Sequence, residues 1–132
     1  MPQTQFNGAT QGAVTLILRL EGAAILTASL LAYAYLGGGW WRFALLFLLP
    51  DLSMLGYLAN RQWGAALYNA GHSYLTPALL ALLGWRMAAT QVLGIAVIWT
   101  AHIGFDRMMG YGLKYATAFG ATHLGWRGRP PA

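Results

Sequence analysis

His102 and Asp106 stand four residues apart in an otherwise apolar stretch. On a helix that spacing puts both side chains on one face. An imidazole and a carboxylate so placed can chelate a metal, or the carboxylate can orient the ring as a base. The plainer alternative is a hydrogen bond within the helix near a membrane interface. Tyr68-Asn69-Ala70-Gly71-His72 repeats the pattern, with Tyr68 and His72 on one face and Asn69 beside them. A neutral imidazole is the commonest metal ligand and a ready proton carrier. Its plainer role is a hydrogen bond between helices. Pro50-Asp51 lies in the middle of an apolar run. The proline frees a carbonyl one turn back, around Leu46, and bends the helix. Asp51 beside that bend, with Ser53 nearby, makes a polar pocket. Glu21 is the remaining acid, two residues after Arg19. Residues two apart on a helix do not face each other. Arg19 therefore snorkels outward while Glu21 points in, unless the span begins at Gly22 and leaves both at the interface.

The three acids, Glu21, Asp51 and Asp106, all lie in or at the edge of apolar segments, in a chain that is 58% hydrophobic and 8% charged. This is the composition of an integral membrane protein. An ionisable side chain at mid-helix in lipid costs roughly 2.5–3.5 kcal/mol or more, so those retained tend to be paired and functional. At 132 residues the chain is one domain. It has no cysteine, which excludes disulfides. The polar stretch before the first apolar run lacks Lys and Arg, so no signal peptide is expected. The net charge of +5 is dispersed at segment ends and forms no basic patch. Nucleic acid is not an expected partner; the lipid bilayer is.

Four apolar segments must position these residues: about Ala13 to Leu36, Trp41 to Ala59, Gly64 to Leu83 and Met87 to Met109. Each approaches the roughly 20 residues that a helix needs to span a bilayer. The connections, Gly37-Gly38-Gly39, Asn60-Arg61-Gln62-Trp63 and Gly84-Trp85-Arg86, are short. The expected fold is all-α, an integral membrane up-down four-helix bundle in a single domain. Trp40, Trp41, Trp63, Trp85 and Trp126 fall at segment ends, as an aromatic belt requires. Arg19, Arg61, Arg107, Lys114, Arg127 and Arg129 gather on one side, against Arg42 and Arg86 on the other. That asymmetry predicts a multi-pass protein of the cell (inner) membrane with both termini cytoplasmic.

At a rise of 1.5 Å per residue, Glu21, Asp51, His72 and His102 all fall roughly 12 Å below the cytoplasmic surface, one from each segment. Asn69, Asp106 and Arg107 lie a turn nearer the cytoplasm. One shared site facing the bundle interior follows, with His72, His102, Asp51 and Asp106 as candidate metal ligands. Asp51, Asp106 and Glu21 are its candidate catalytic carboxylates. Beyond Met109 the chain is Gly-rich and basic, an expected interfacial or partly re-entrant segment. There Arg107, Tyr111 and Lys114 could hold a phosphate or lipid head group, or serve only as a positive, aromatic anchor. His123 reads as solvated. The glycine runs lack the Gly-Lys-Ser/Thr ending of a nucleotide loop.

The stretches Leu18-Arg19-Leu20-Glu21-Gly22, Pro50-Asp51-Leu52-Ser53-Met54-Leu55-Gly56-Tyr57, Tyr68-Asn69-Ala70-Gly71-His72 and Ala101-His102-Ile103-Gly104-Phe105-Asp106-Arg107 together resemble the DUF4260 family of small bacterial integral membrane proteins. Gly110-Tyr111-Gly112-Leu113-Lys114-Tyr115 and Thr122-His123-Leu124-Gly125 extend the resemblance over about residues 12 to 127. It implies a four-helix membrane protein and no particular activity. A fainter likeness is to membrane metal hydrolases of the alkaline ceramidase and adiponectin-receptor type, which also use a His-x-x-x-Asp helix pair. The chain lacks their seven-helix length and their second, His-x-x-x-His element.

Three functions fit. The first is a site for a divalent metal (Zn, Fe or Mn), whose N/O ligand set suits such ions. With an open coordination position it could hydrolyse a lipid or another amphipathic molecule. The second is a small proton-coupled exporter, a class that works as a homodimer. The third is a membrane protein without enzymatic activity that holds a haem between His72 and His102.

Overall fold

The structure of the protein, a computed structural model, describes residues 8–128. Helix α1 (Gly12–Leu36) ends where Gly37 turns to φ 73°, a left-handed conformation that glycine adopts without a Cβ penalty. Helix α2 (Trp40–Phe47) passes directly into a ten-residue 3-10 helix (Leu49–Leu58). Pro50, at the start of that helix, has no N–H to offer the carbonyl a turn back. The expected bend is thus a change of helix type, and Asp51 lies in the first turn of the tighter helix. Such long 3-10 runs are uncommon and tend to mark functional or strained segments.

Helix α3 (Arg61–His72) starts at Asn60, whose side chain accepts the Trp63 N–H at 2.8 Å. The expected loop there is therefore the first turn of a helix. The expected third segment is also not continuous. It breaks at Ser73, which is extended (φ −91°, ψ 139°), and resumes as α4 (Leu75–Arg86). Pro77 explains the break. In the first turn of α4 its missing N–H costs nothing, whereas within an unbroken helix its ring would clash with the Ser73 carbonyl. Helix α5 (Thr90–Met109) ends at Gly110, again left-handed at φ 88°.

The protein is therefore mostly helical, with three stretches long and apolar enough to cross a membrane: Gly12–Leu36, Trp40–Leu58 and Thr90–Met109. Helix α4 is apolar but shorter. The chain turns its apolar side outward. Leu31, Leu45 and Leu79 are each more than 60% exposed, while His72 and His102 are 0% and 2% exposed. Polar groups inside and leucines outside is the arrangement that lipid favours.

Helix α5 is the central element. Helix α1 runs antiparallel to it, and Gly22 and Gly104 lie at their crossing. A Cβ on Gly22 would stand 2.8 Å from the Gly104 carbonyl, and one on Gly104 would stand 2.9 Å from the Gly22 carbonyl. Small residues on both sides let two backbones meet this closely. Helix α4 packs on α5 near Gly84 and Leu93. The 3-10 helix and α3 form a hairpin of their own, with Gly56 against Gly64 and Gly71 against Ser53.

The tail after α5 departs from the all-α expectation. Ala121–Thr122 and Gly125–Trp126 pair as a short antiparallel hairpin, and Lys114 bridges to Thr122. This small β element docks on α3 through Asn69. The Asn69 amide donates to the Lys114 carbonyl (2.8 Å) and accepts its N–H (2.7 Å), as a neighbouring strand would.

Candidate metal centre

Asp51 enters the site from the 3-10 helix, His72 from the last residue of α3, and His102 and Asp106 from successive turns of α5. His72 Nε2 and His102 Nε2 are 3.1 Å apart. Each of these nitrogens is also 3.2–3.3 Å from Asp51 Oδ1 and from Asp106 Oδ2. One ligand atom from each of the four residues lies within 4.8 Å of the others. Donors about 2.0–2.1 Å from a zinc ion at tetrahedral angles stand about 3.3–3.4 Å from one another. The His–His and His–Asp separations match that edge length closely.

The protonation pattern follows from the second nitrogen of each ring. His72 Nδ1 is 3.0 Å from the Tyr68 carbonyl, and His102 Nδ1 is 2.6 Å from the Phe47 carbonyl. A carbonyl only accepts, so Nδ1 carries a proton in both rings, and in the neutral form each imidazole presents its Nε2 lone pair. Ser53 reinforces this at His72. Its hydroxyl donates to the Pro50 carbonyl (2.7 Å) and accepts from Nδ1 at 3.3 Å. Fixing a ligand ring through its outer N–H is a common feature of metal sites. With both rings neutral and both acids ionised, two imidazole lone pairs and two carboxylates converge without a donor among them. Their mutual repulsion calls for a cation or for additional protons.

The surroundings hold the rings in place. Tyr68 stacks on His72 at 3.8 Å between centroids, and Phe47 leans on His102 at 5.1 Å. The break after α3 exposes carbonyls that other helices satisfy. Trp99 Nε1 donates to the Gly71 carbonyl (2.6 Å), Arg107 Nη2 to that of His72 (2.8 Å), and the Thr76 hydroxyl to that of Ala70.

The family described as "domain of unknown function (DUF4260)" matches residues 15–126. The chain belongs to the DUF4260 family. All four converging residues lie within the matched stretch. No curated protein and no solved structure matches this DUF4260 chain.

The remaining candidates divide between two cavities. One, of about 320 Å³, is lined by Asp51 and Asp106 together with Met54, Tyr68, Tyr111, Lys114 and Phe119. Tyr111 and Lys114 thus border the carboxylates. Asp51 is the more open of the two acids, its side chain 42% exposed against 13% for Asp106. The second cavity, of about 490 Å³, is lined by Glu21, Tyr74, Arg107 and His123 among others. Glu21 is exposed there and is not part of the four-residue group. Arg107 is 8% exposed and bound to main-chain carbonyls, those of His72 and Tyr111. It braces the junction of α3 and α5 and does not line the first cavity. Arg19 does not simply reach outward: its Nε caps α5 by donating to the Met108 carbonyl at 2.9 Å. His123 is half-buried, and its Nδ1 accepts the Leu113 N–H at 2.9 Å. Burial, with the nearby Arg107 charge, holds its pKa below 6.5.

The two imidazole nitrogens do not suit a haem. The carboxylate oxygens crowd both of them and occupy the space that a flat macrocycle between axial ligands would need. Sequence reasoning misses Phe47, because its role is played by a main-chain carbonyl that carries no side-chain signal. It also misses Asn69 as the clamp of the tail, since that pairing spans 45 residues.

Proposed function

We propose that Asp51, His72, His102 and Asp106 bind a divalent metal, zinc before iron or manganese, and that this centre hydrolyses a lipid or another amphipathic substrate. The observation that carries the reading is the convergence of two Nε2 atoms on two carboxylates, with both Nδ1 atoms facing main-chain carbonyls. The His–His and His–Asp separations suit a zinc ion, and imidazole with carboxylate is a fitting donor set. Such an ion would polarise a carbonyl or phosphoryl group and lower the pKa of water.

The difference in exposure suggests a division of labour. His72, His102 and Asp106 are the three enclosed ligands. Asp51, at the cavity, is the fourth, and can leave that position to accept a proton from water. A catalytic zinc commonly keeps three protein ligands and one exchangeable position. Substrate arrives from the bilayer: Leu49, Leu52 and Leu55, around Asp51, are all about half exposed or more.

In this reading α3 and α4 together make the third crossing of a four-span, up-down arrangement in the cell membrane, with both termini cytoplasmic. Cysteines placed at Gln62 and Arg86, both exposed, should label from opposite sides. Labelling of both from one side would overturn the topology.

The metal is tested first. Protein expressed in metal-replete medium should carry about one zinc per chain by mass spectrometry. His72→Ala or His102→Ala should lose most of it. Wild-type protein that is folded, monodisperse and free of metal would replace this reading with a proton-carrying polar core. Hydrolysis is then sought with amphipathic esters and amides. Turnover that survives metal removal would overturn the catalytic half.

A further inference from the structure

We propose that Lys114 anchors the anionic group of an amphipathic substrate beside the metal centre, with Met54 and Phe119 receiving its apolar part. This inference rests on the metal reading and names the substrate class of that same site.

Lys114 is only 9% exposed and lines the cavity that opens on Asp51 and Asp106. Its position is fixed at the main chain by the two Asn69 hydrogen bonds and by the bridge to Thr122. The ammonium stands 3.4 Å from the centre of the Phe119 ring and 4.9 Å from that of Tyr68, two residues that line the same cavity. It donates to the Phe119 carbonyl at 2.7 Å. An ammonium has three donors, and the described residues give it this single acceptor, so two N–H groups remain for a ligand.

Charge points the same way. Two carboxylates neutralise a divalent ion held with two neutral imidazoles. The Lys114 cation is then left without a counter-charge inside a half-closed, mostly apolar cavity, and an anion supplies it. Held beside Asp51 and Asp106, that anion would bring the adjacent bond of the substrate to the metal. Met54 and Phe119 in the cavity wall, and exposed Leu55 and Leu58 outside it, favour a ligand with a hydrocarbon portion over a free ion.

The test uses purified, zinc-loaded protein in uncharged micelles and three probes: octyl phosphate, octanol and inorganic phosphate. Binding is followed through the amide NMR shifts of Tyr111 and Phe119, and zinc is measured in the same samples. Octyl phosphate should bind at least tenfold more tightly than either of the others. Lys114→Met should erase its advantage over octanol without reducing zinc, and Lys114→Arg should retain part of it. Equal affinity of wild-type protein for octyl phosphate and octanol would overturn the proposal, whether or not the variants fold. Equal affinity for octyl phosphate and inorganic phosphate would overturn its amphipathic half. Discrimination by folded wild-type protein that takes up no zinc would leave the anion site standing and sink the metal reading instead.

Discussion

His72 and His102, thirty residues apart in the chain, point their Nε2 atoms at each other across 3.1 Å, while each ring turns its other nitrogen to a main-chain carbonyl. Neither ring can tautomerise without losing that carbonyl partner. In zinc-loaded protein, nitrogen NMR should therefore show Nδ1–H and a metal-bound Nε2 in both histidines. A signal from Nε2–H in either ring would contradict the arrangement.

The two carboxylates should not contribute equally. Asp106 is enclosed and shares α5 with His102, whereas Asp51 stands at the open edge. Asp106→Asn should weaken zinc binding by more than about 100-fold, beyond the usual cost of removing a hydrogen-bond partner of a ligand. Asp51→Asn should cost about tenfold or less in affinity but abolish any hydrolysis. Competition with a chelator of known affinity gives the first quantity. Equal losses from the two variants would refute the division of roles.

Gly104→Val should separate α1 from α5. The added Cβ would meet the main chain of α1 at Gly22 and Leu26, which cannot move aside as a side-chain tip can. Overpacking typically costs about 1–3 kcal/mol. A lower unfolding temperature in micelles is expected, with the zinc content of the folded fraction unchanged because α1 supplies no ligand. An unaltered unfolding temperature would show that the helices are not so closely apposed.

Asn69→Ala removes both hydrogen bonds to the Lys114 main chain. Leaving such groups unpaired costs roughly 1–3 kcal/mol. The tail beyond Met109 should then be cleaved faster in limited proteolysis, while the helices stay protected. Unchanged cleavage would show that other contacts suffice to hold it.

Acid should loosen the same region. His123 has a pKa held below 6.5, so its neutral form favours the folded state. That contribution is complete above pH 6.5 and is lost as the pH falls below it. Protonation also removes the Nδ1 acceptor that holds the Leu113 N–H. The Leu113 amide should lose protection from hydrogen exchange between pH 6.5 and 5, after correction for intrinsic rates. Constant protection would count against this coupling.

Much of the site can be read from residue types. The His102-x-x-x-Asp106 spacing and a count of depth group Asp51 and His72 with that pair, and the four do converge. Depth does not specify rotation, however, and Glu21 shows the consequence. Helix α1 turns Gly22 toward α5, and at 3.6 residues per turn the preceding residue faces about 100° away. Pro77 is visible in the sequence, but hydropathy averages over it, so one apolar run conceals two helices. The hairpin of the tail depends on partners many residues distant, such as Asn69 and Lys114, and no local pattern announces it.

The order of the four converging residues along the chain bears on how the protein is made. Asp51 and His72 leave the ribosome before His102 and Asp106. In the folded protein that first pair stands on the 3-10 helix and on the last residue of α3, and the second pair on the final long helix. Only insertion of the final long helix completes the quartet. An ion bound by all four would act as a late fastener, closing only once the final long helix has joined the earlier segments.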